Sequence, residues 1–176
     1  TLELLDDMKR EGPDLLASLW KQTGLNGEDL VRWADIRDRM YIPFDSATGL
    51  FEQQEGFFGL PHVDIRAIPR EEFPLYNHWS YDRLYRNDVI KQPDVLMFLL
   101  LYNGEFSQEQ LRVNYEYYEP RCLHESSLSP SVHSILAAQL GKLEEACSFF
   151  RFATRMDLDN YNRNTPQGLH TTSNAG

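Results

Sequence analysis

Proline and glycine cut this chain into short segments with helical apolar spacing, and that punctuation limits the fold more than any other feature. Proline has no amide hydrogen and a fixed φ, so it suits the first turn of a helix and stops a preceding one. Gly12-Pro13 separates residues 2–11 from a run that carries Leu15, Leu16, Leu19 and Trp20 at helical spacing, which Gly24 closes. Gly27 to about Arg39 reads as a third helix, with Leu30, Val31, Ala34 and Met40 on one side. A short helix is predicted for Tyr81–Asp88. Pro93 opens the nearly continuous apolar run Val95–Leu101, which is too apolar for a surface helix and belongs in the middle of the fold. Ser107 and Gln110 form a capping box for a helix that Glu119-Pro120 ends. Ser129 is a good N-cap and Pro130 a good first residue for a helix that stops at Gly141, and Leu143–Met156 forms the last one. The pattern predicts an all-α chain of sequentially paired helices.

Between residues 41 and 79 the pattern breaks. Pro43, Pro61, Pro69 and Pro74 stand there with Gly49, Gly56 and Gly59, leaving room for no more than short strands. Loops this long are functional or disordered. Phe44, Phe51, Phe57, Phe58, Phe73, Tyr76 and Trp79 argue for order, and an ordered loop lying across a cleft is expected. Gln53, Gln54 and Glu55 among these aromatics are either solvated loop residues or contacts for a sugar.

The 176 residues and 41% hydrophobic content suffice for one domain with a sizeable core. A net charge of −10 argues against a nucleic-acid surface. It does not exclude an anionic ligand, because salt screens charges beyond about 8–10 Å and local residues decide. The two cysteines, Cys122 and Cys147, lack metal-like spacing, so a reduced protein with no metal is expected. No apolar run approaches the roughly 20 residues that span a bilayer, and the start is acidic rather than signal-like. A cytoplasmic chain with no membrane or nucleic-acid partner is the expectation. The absent initiator Met and the end at Gly176 suggest a segment of something longer.

Chemistry concentrates in His124-Glu125-Ser126-Ser127-Leu128-Ser129-Pro130-Ser131-Val132-His133-Ser134. A serine-rich loop runs there into a helix N-terminus, whose free amides and partial positive charge suit an anion such as phosphate. The same residues also read as a well-capped helix with a polar lead-in. Polar clusters recur between helices at 91–92, 124–129 and 168–173, and in an array of paired helices such connections can line one pocket.

Four ordered motifs carry a resemblance: Ile90-Lys91-Gln92-Pro93-Asp94-Val95, Asn114-Tyr115-Glu116-Tyr117-Tyr118-Glu119-Pro120, the 124–134 stretch, and Leu169-His170-Thr171-Thr172-Ser173-Asn174-Ala175-Gly176. Together they resemble the signature of glycoside hydrolase family 65, whose main members are inverting disaccharide phosphorylases. The likeness is strong over 89–176 and looser over 13–60. It implies an (α/α)6 barrel, of which this chain would be the second half, carrying the long ordered loop. It implies phosphorolysis of an α-glucosidic bond with inversion, giving β-glucose 1-phosphate and a free sugar.

By motif, Ser126, Ser127, His170 and Thr171 would hold phosphate, and Lys91, Gln92 and Glu125 would meet the glucose or phosphate. His124 and His133 are expected to be structural. No cofactor is implied, since inorganic phosphate is the co-substrate. The implied partners are an α-glucosyl disaccharide, phosphate, the remaining half of the enzyme and a second copy in a homodimer. Two departures stand out. Pro93 replaces a small residue, which a helix start tolerates. The family's general-acid Glu lies upstream of every residue given, so the chain would hold no catalytic acid and be inactive alone. A hydrolase of the same family, and a non-enzymatic helical scaffold in which the motifs are only caps, are the alternatives.

Overall fold

The computed structural model describes residues 2–171, which divide into two compact units, Thr1–Ile42 and Pro43–Gly176. In the first unit, α1 (Leu2–Glu11), α2 (Pro13–Thr23) and α3 (Gly27–Arg39) follow the predicted punctuation. Pro13 takes the first turn of α2. Gly24 closes it in the left-handed region at φ 73°, which glycine adopts without a Cβ clash, and its amide donates to the Trp20 carbonyl. A reciprocal capping box opens α3: the Asn26 side chain accepts from Glu28 N at 2.8 Å, and Asp29 accepts from Asn26 N at 3.0 Å.

The second unit opens with an antiparallel hairpin, β1 (Phe44–Asp45) and β2 (Leu50–Phe51), with Phe44 opposite Phe51. Short 3₁₀ turns then lead to α4 (Tyr81–Tyr85), α5 (Asp94–Leu101), α6 (Gln108–Tyr118), α7 (Leu128–Gln139) and α8 (Leu143–Arg155). The described residues are therefore mostly helical, with two short strands inside the irregular segment. That segment is ordered because it is anchored: Phe57, Leu75 and Trp79 are buried. The buried Asp88 also accepts from Val63 N, His62 Nδ1 and Arg121 Nε at 2.7–2.9 Å.

Helices α5, α6 and α7 share one core, formed by Leu96, Leu99, Leu111, Tyr115, Tyr118, Val132, Leu136 and Ala137. α5 buries Val95, Leu96 and Leu99, the last two fully covered, while Leu101 at its end is exposed. The hairpin is fastened to this core through Asn114. Its side chain accepts from Phe51 N and donates to the carbonyls of Gly49 and Gln110, all at 2.8–2.9 Å. Gly141, in the left-handed region at φ 75°, turns α7 into α8.

One helix start differs from the sequence reading. α7 begins at Leu128 with Ser127 in the cap position, and the hydroxyl that meets its first amide is that of Ser126, which accepts from Leu128 N at 3.4 Å. Ser129 does not cap because its hydroxyl is drawn into the core, where it bonds His124. The helix over Tyr81–Asp88 is also shorter, ending at Tyr85, since Asn87 turns the chain by bonding Arg83 O and Val89 N.

No helix among the described residues is long and apolar enough to cross a membrane.

Candidate active site

Two remote sequence stretches meet through the backbone. Ile90 N–H donates to Arg121 O at 2.9 Å and Leu123 N–H to Ile90 O at 2.8 Å, an isolated parallel bridge between Ile90 and Cys122. The bridge lays Lys91 and Gln92 alongside the lead-in to α7. Lys91 is exposed, with its Nζ 5.3 Å from the centre of the Tyr76 ring. Glu125 is half-buried and accepts Leu75 N at 2.5 Å. Burial pushes its carboxyl above the ordinary carboxylate range, and the Leu75 amide and the Lys91 charge offset part of that rise.

Gln92 does not stand alone. Asp94 Oδ1 accepts from Gln92 Nε2 at 2.9 Å, and Asp94 Oδ2 accepts from Gln53 Nε2 at 2.8 Å. One carboxylate thus ties the motif at 91–94 to the irregular segment. Gln53 Oε1 is buried without a partner among the described residues. Lys91, Gln92, Gln53 and Gln54 share a cavity of about 320 Å³. Asp94 lines the same cavity, which thus carries a carboxylate, amide side chains and an ammonium, groups that suit a hydroxyl-rich ligand.

A second cavity, of about 440 Å³, is lined by Glu125 together with Arg70, Phe73, His124, Asn162 and Arg163. His124 and Arg163 both hold positive φ, at 55° and 53°. Non-glycine residues adopt that region at some cost and do so often around ligand sites. Asn162 Nδ2 is buried without a partner among the described residues.

Beneath the α7 lead-in is a neutral hydrogen-bonded cluster. His133 Nδ1–H donates to Ser129 O at 2.8 Å, which fixes its tautomer, and Ser129 Oγ lies 2.6 Å from His124 Nδ1 and 3.3 Å from Cys122 Sγ. Burial lowers His124 to about 3, helped by neighbouring His133, and lowers His133 to about 4; it raises Cys122 to about 11. The ligand-type atoms of Cys122, His124 and His133 fall within 4.8 Å of one another. The Ser129 hydroxyl bonds or approaches all three, and His133 Nε2 is buried without a partner among the described residues. The two imidazoles stack against Phe149.

Ser126 and Ser127 stand half-buried at the head of α7, where Ser126 accepts from Leu128 N through Oγ at 3.4 Å and from Ser129 N through its carbonyl at 3.1 Å, and Pro130 carries no amide hydrogen. His170 is half-buried and held by Asp157, which accepts from both its Nδ1 and its backbone amide. Thr171 is exposed beside it, and the sequence reading's Thr172–Gly176 lies outside the described residues.

A profile of the glycosyl hydrolase family 65 central catalytic domain matches residues 1–176. The chain belongs to this family. It is 37% identical over 174 residues to an α,α-trehalose phosphorylase of Thermoanaerobacter brockii, covering 99% of this chain and 22% of that protein. It is 43% identical over 148 residues to the maltose phosphorylase of Bacillus subtilis strain 168, covering 84% of this chain and 20% of that one. A solved structure described as a kojibiose phosphorylase from the human microbiome superposes with a TM-score of 0.87 at 54% identity, over 99% of this chain and 23% of that one. The chain therefore spans about a fifth of the length of the proteins it matches.

In this family 65 chain, three features of the site escape sequence reasoning. Asp94 was visible only as part of a motif, and its link to Gln53 spans 41 residues. Tyr76 and Leu75 reach Lys91 and Glu125 from a stretch with no regular pattern. Asp157 sits in an acidic, Asn-rich loop that reads as solvated, yet its side chain is only 6% exposed.

Proposed function

We propose that this chain is part of an inverting phosphorylase that cleaves an α-linked glucosyl disaccharide into β-glucose 1-phosphate and a free sugar. In that reaction the glycosidic C–O bond breaks, its oxygen takes a proton from a carboxylic acid, and a phosphate oxygen bonds to the anomeric carbon from the opposite face. An inverting hydrolase needs a second carboxylate to deprotonate water. Phosphate already carries its negative charge and needs a binding site instead. Lys91, Ser126, Ser127, His170 and Thr171 would supply that kind of site: an ammonium, hydroxyls and an imidazole. Gln92 and Glu125 would hold sugar hydroxyls. The proton donor would come from outside these residues, so the segment alone would not turn over substrate.

The observation that carries this reading is the Ile90–Cys122 bridge, which sets Lys91 beside the Glu125-Ser126-Ser127 lead-in. The relatives support it by name, since they are phosphorylases of trehalose, maltose and kojibiose. Those names differ in linkage, so family membership leaves the disaccharide open. The test is phosphate dependence of the full-length protein on a panel of glucosyl-glucoses. β-Glucose 1-phosphate should form from one of them, and cleavage should stop when phosphate is withdrawn. Equal glucose release without phosphate would establish hydrolysis instead.

A further inference from the structure

Asp157 lies just beyond the end of α8, in a stretch with no role in the phosphate site as described so far. Both of its carboxylate oxygens are used by one residue. Oδ2 accepts the His170 backbone amide at 2.5 Å, and Oδ1 lies 2.7 Å from His170 Nδ1. The contact joins positions 13 apart in sequence, and the Asp157 side chain is 6% exposed against 26% for His170. The intervening loop is independently tied. Tyr161 N donates to Met156 O, Arg155 pairs with Asp159 through two bonds, and the Asn160 side chain accepts from Thr165 N and Oγ1. These bonds order residues 155–165 without the imidazole contact.

We propose that Asp157 is the positioning residue of His170, a reading that rests on His170 belonging to the phosphate site. A carboxylate has only acceptors, so the proton at the 2.7 Å contact must sit on His170 Nδ1. That fixes the tautomer and leaves Nε2 as the ring nitrogen available to a ligand. The second bond, to the backbone amide, fixes the Cα of His170 relative to the same carboxylate, so ring and backbone are oriented by one group. When His170 is protonated, the carboxylate offsets the imidazolium charge while Nε2–H donates to a phosphate oxygen. When it is neutral, Nε2 accepts a hydrogen bond from a protonated phosphate oxygen. Either way Asp157 acts through the imidazole and not on the substrate.

The experiment is a double-mutant cycle on the full-length enzyme with His170→Ala and Asp157→Asn, reading the KM for phosphate and kcat separately. Asparagine has nearly the same shape, and its carbonyl can accept only one of the two bonds. Asp157→Asn should raise the phosphate KM about tenfold, as expected for losing a charge-assisted hydrogen bond, and leave the disaccharide KM within about twofold. In the His170→Ala background it should have no further effect on the phosphate KM. An undiminished effect in that background would assign Asp157 to loop closure and overturn the proposal. If His170→Ala itself leaves the phosphate KM unchanged, the placement of His170 in the phosphate site fails, which is a separate result. Nitrogen-15 histidine spectra of the unaltered enzyme test the same point without a variant: Nδ1 of His170 should carry the proton, and an Nε2–H tautomer would overturn the proposal.

Discussion

Ile90 and Cys122 pair as an isolated parallel bridge, and this pair of backbone hydrogen bonds brings Lys91 to the Glu125 carboxyl. The two residues are far apart in sequence and belong to different loops. The Arg121–Asp88 ion pair, at 2.8 Å, joins the same two stretches. Bridge and ion pair together set the two motifs side by side, and the helices that follow, α5 and α7, pack in a common core.

Lys91→Met tests that link. The methionine keeps most of the aliphatic stem and removes the ammonium, whose Nζ lies 5.3 Å from the centre of the Tyr76 ring. Glu125 is already raised by burial, and losing the ammonium that offsets it should raise it further. The kcat/KM for phosphorolysis should fall at least about tenfold, the size of one charge-assisted contact. Thermal stability should change little, because Lys91 is exposed. A variant with unaltered kcat/KM would remove Lys91 from the site.

Asp94→Ala separates the sugar side from the phosphate side. The carboxylate holds the amides of Gln53 and Gln92 at 2.8 and 2.9 Å. Without it both side chains regain rotamer freedom, costing about 0.5–1.5 kcal/mol each on binding. The disaccharide KM should rise at least about fivefold while the phosphate KM stays within about twofold. Equal changes in both constants would mean that Asp94 supports the whole site and not the glutamines alone.

The helical content was legible because it rests on local rules: Pro13 at a helix start, Gly24 and Gly141 in the left-handed region, and the Ser107–Gln110 capping box are each decided within a few residues. The family was legible from its ordered motifs. What holds them was not. Leu75 N meets Glu125 across 50 positions, and Gln53 meets Asp94 across 41. Such pairings follow from packing, which carries no periodic signal. The start of α7 was misread for a related reason. Ser129 is locally a good cap, but the buried His124 and Cys122 compete for its hydroxyl and win.

Asn114→Ala should be among the most destabilising substitutions in the second unit. The side chain is fully buried and satisfies the Phe51 amide and the Gly49 carbonyl, which are the hairpin's attachment to α6. Truncation leaves those backbone groups unpaired beside an apolar core, at about 2–4 kcal/mol in total. A urea-unfolding series should show a lower midpoint with an unchanged slope. Protease cleavage between residues 44 and 51 should accelerate at the same time. A loss below about 0.5 kcal/mol would mean that Tyr118, which donates to the Phe51 carbonyl, suffices to hold the hairpin.

The histidine pair beneath the α7 lead-in should make the protein acid-sensitive. His124 and His133 are held neutral in the fold, at about 3 and about 4, against an ordinary value of 6.5. The unfolded chain therefore binds protons that the folded chain does not, and stability falls as pH drops below about 6.5. Above that pH both states are neutral at these positions and the contribution is complete. At pH 5 each histidine should have cost roughly 2 kcal/mol relative to pH 8, since each pH unit below the unfolded value is worth about 1.4 kcal/mol. The dependence should continue until the folded-state values are reached, near pH 3–4. His124→Gln keeps a polar group near Ser129 Oγ but cannot take up a proton. In that variant the slope of unfolding free energy against pH between 5 and 6 should fall by about one proton. Urea midpoints measured at half-unit pH steps provide the comparison, and identical slopes for the two proteins would show that His124 is already protonated in the fold.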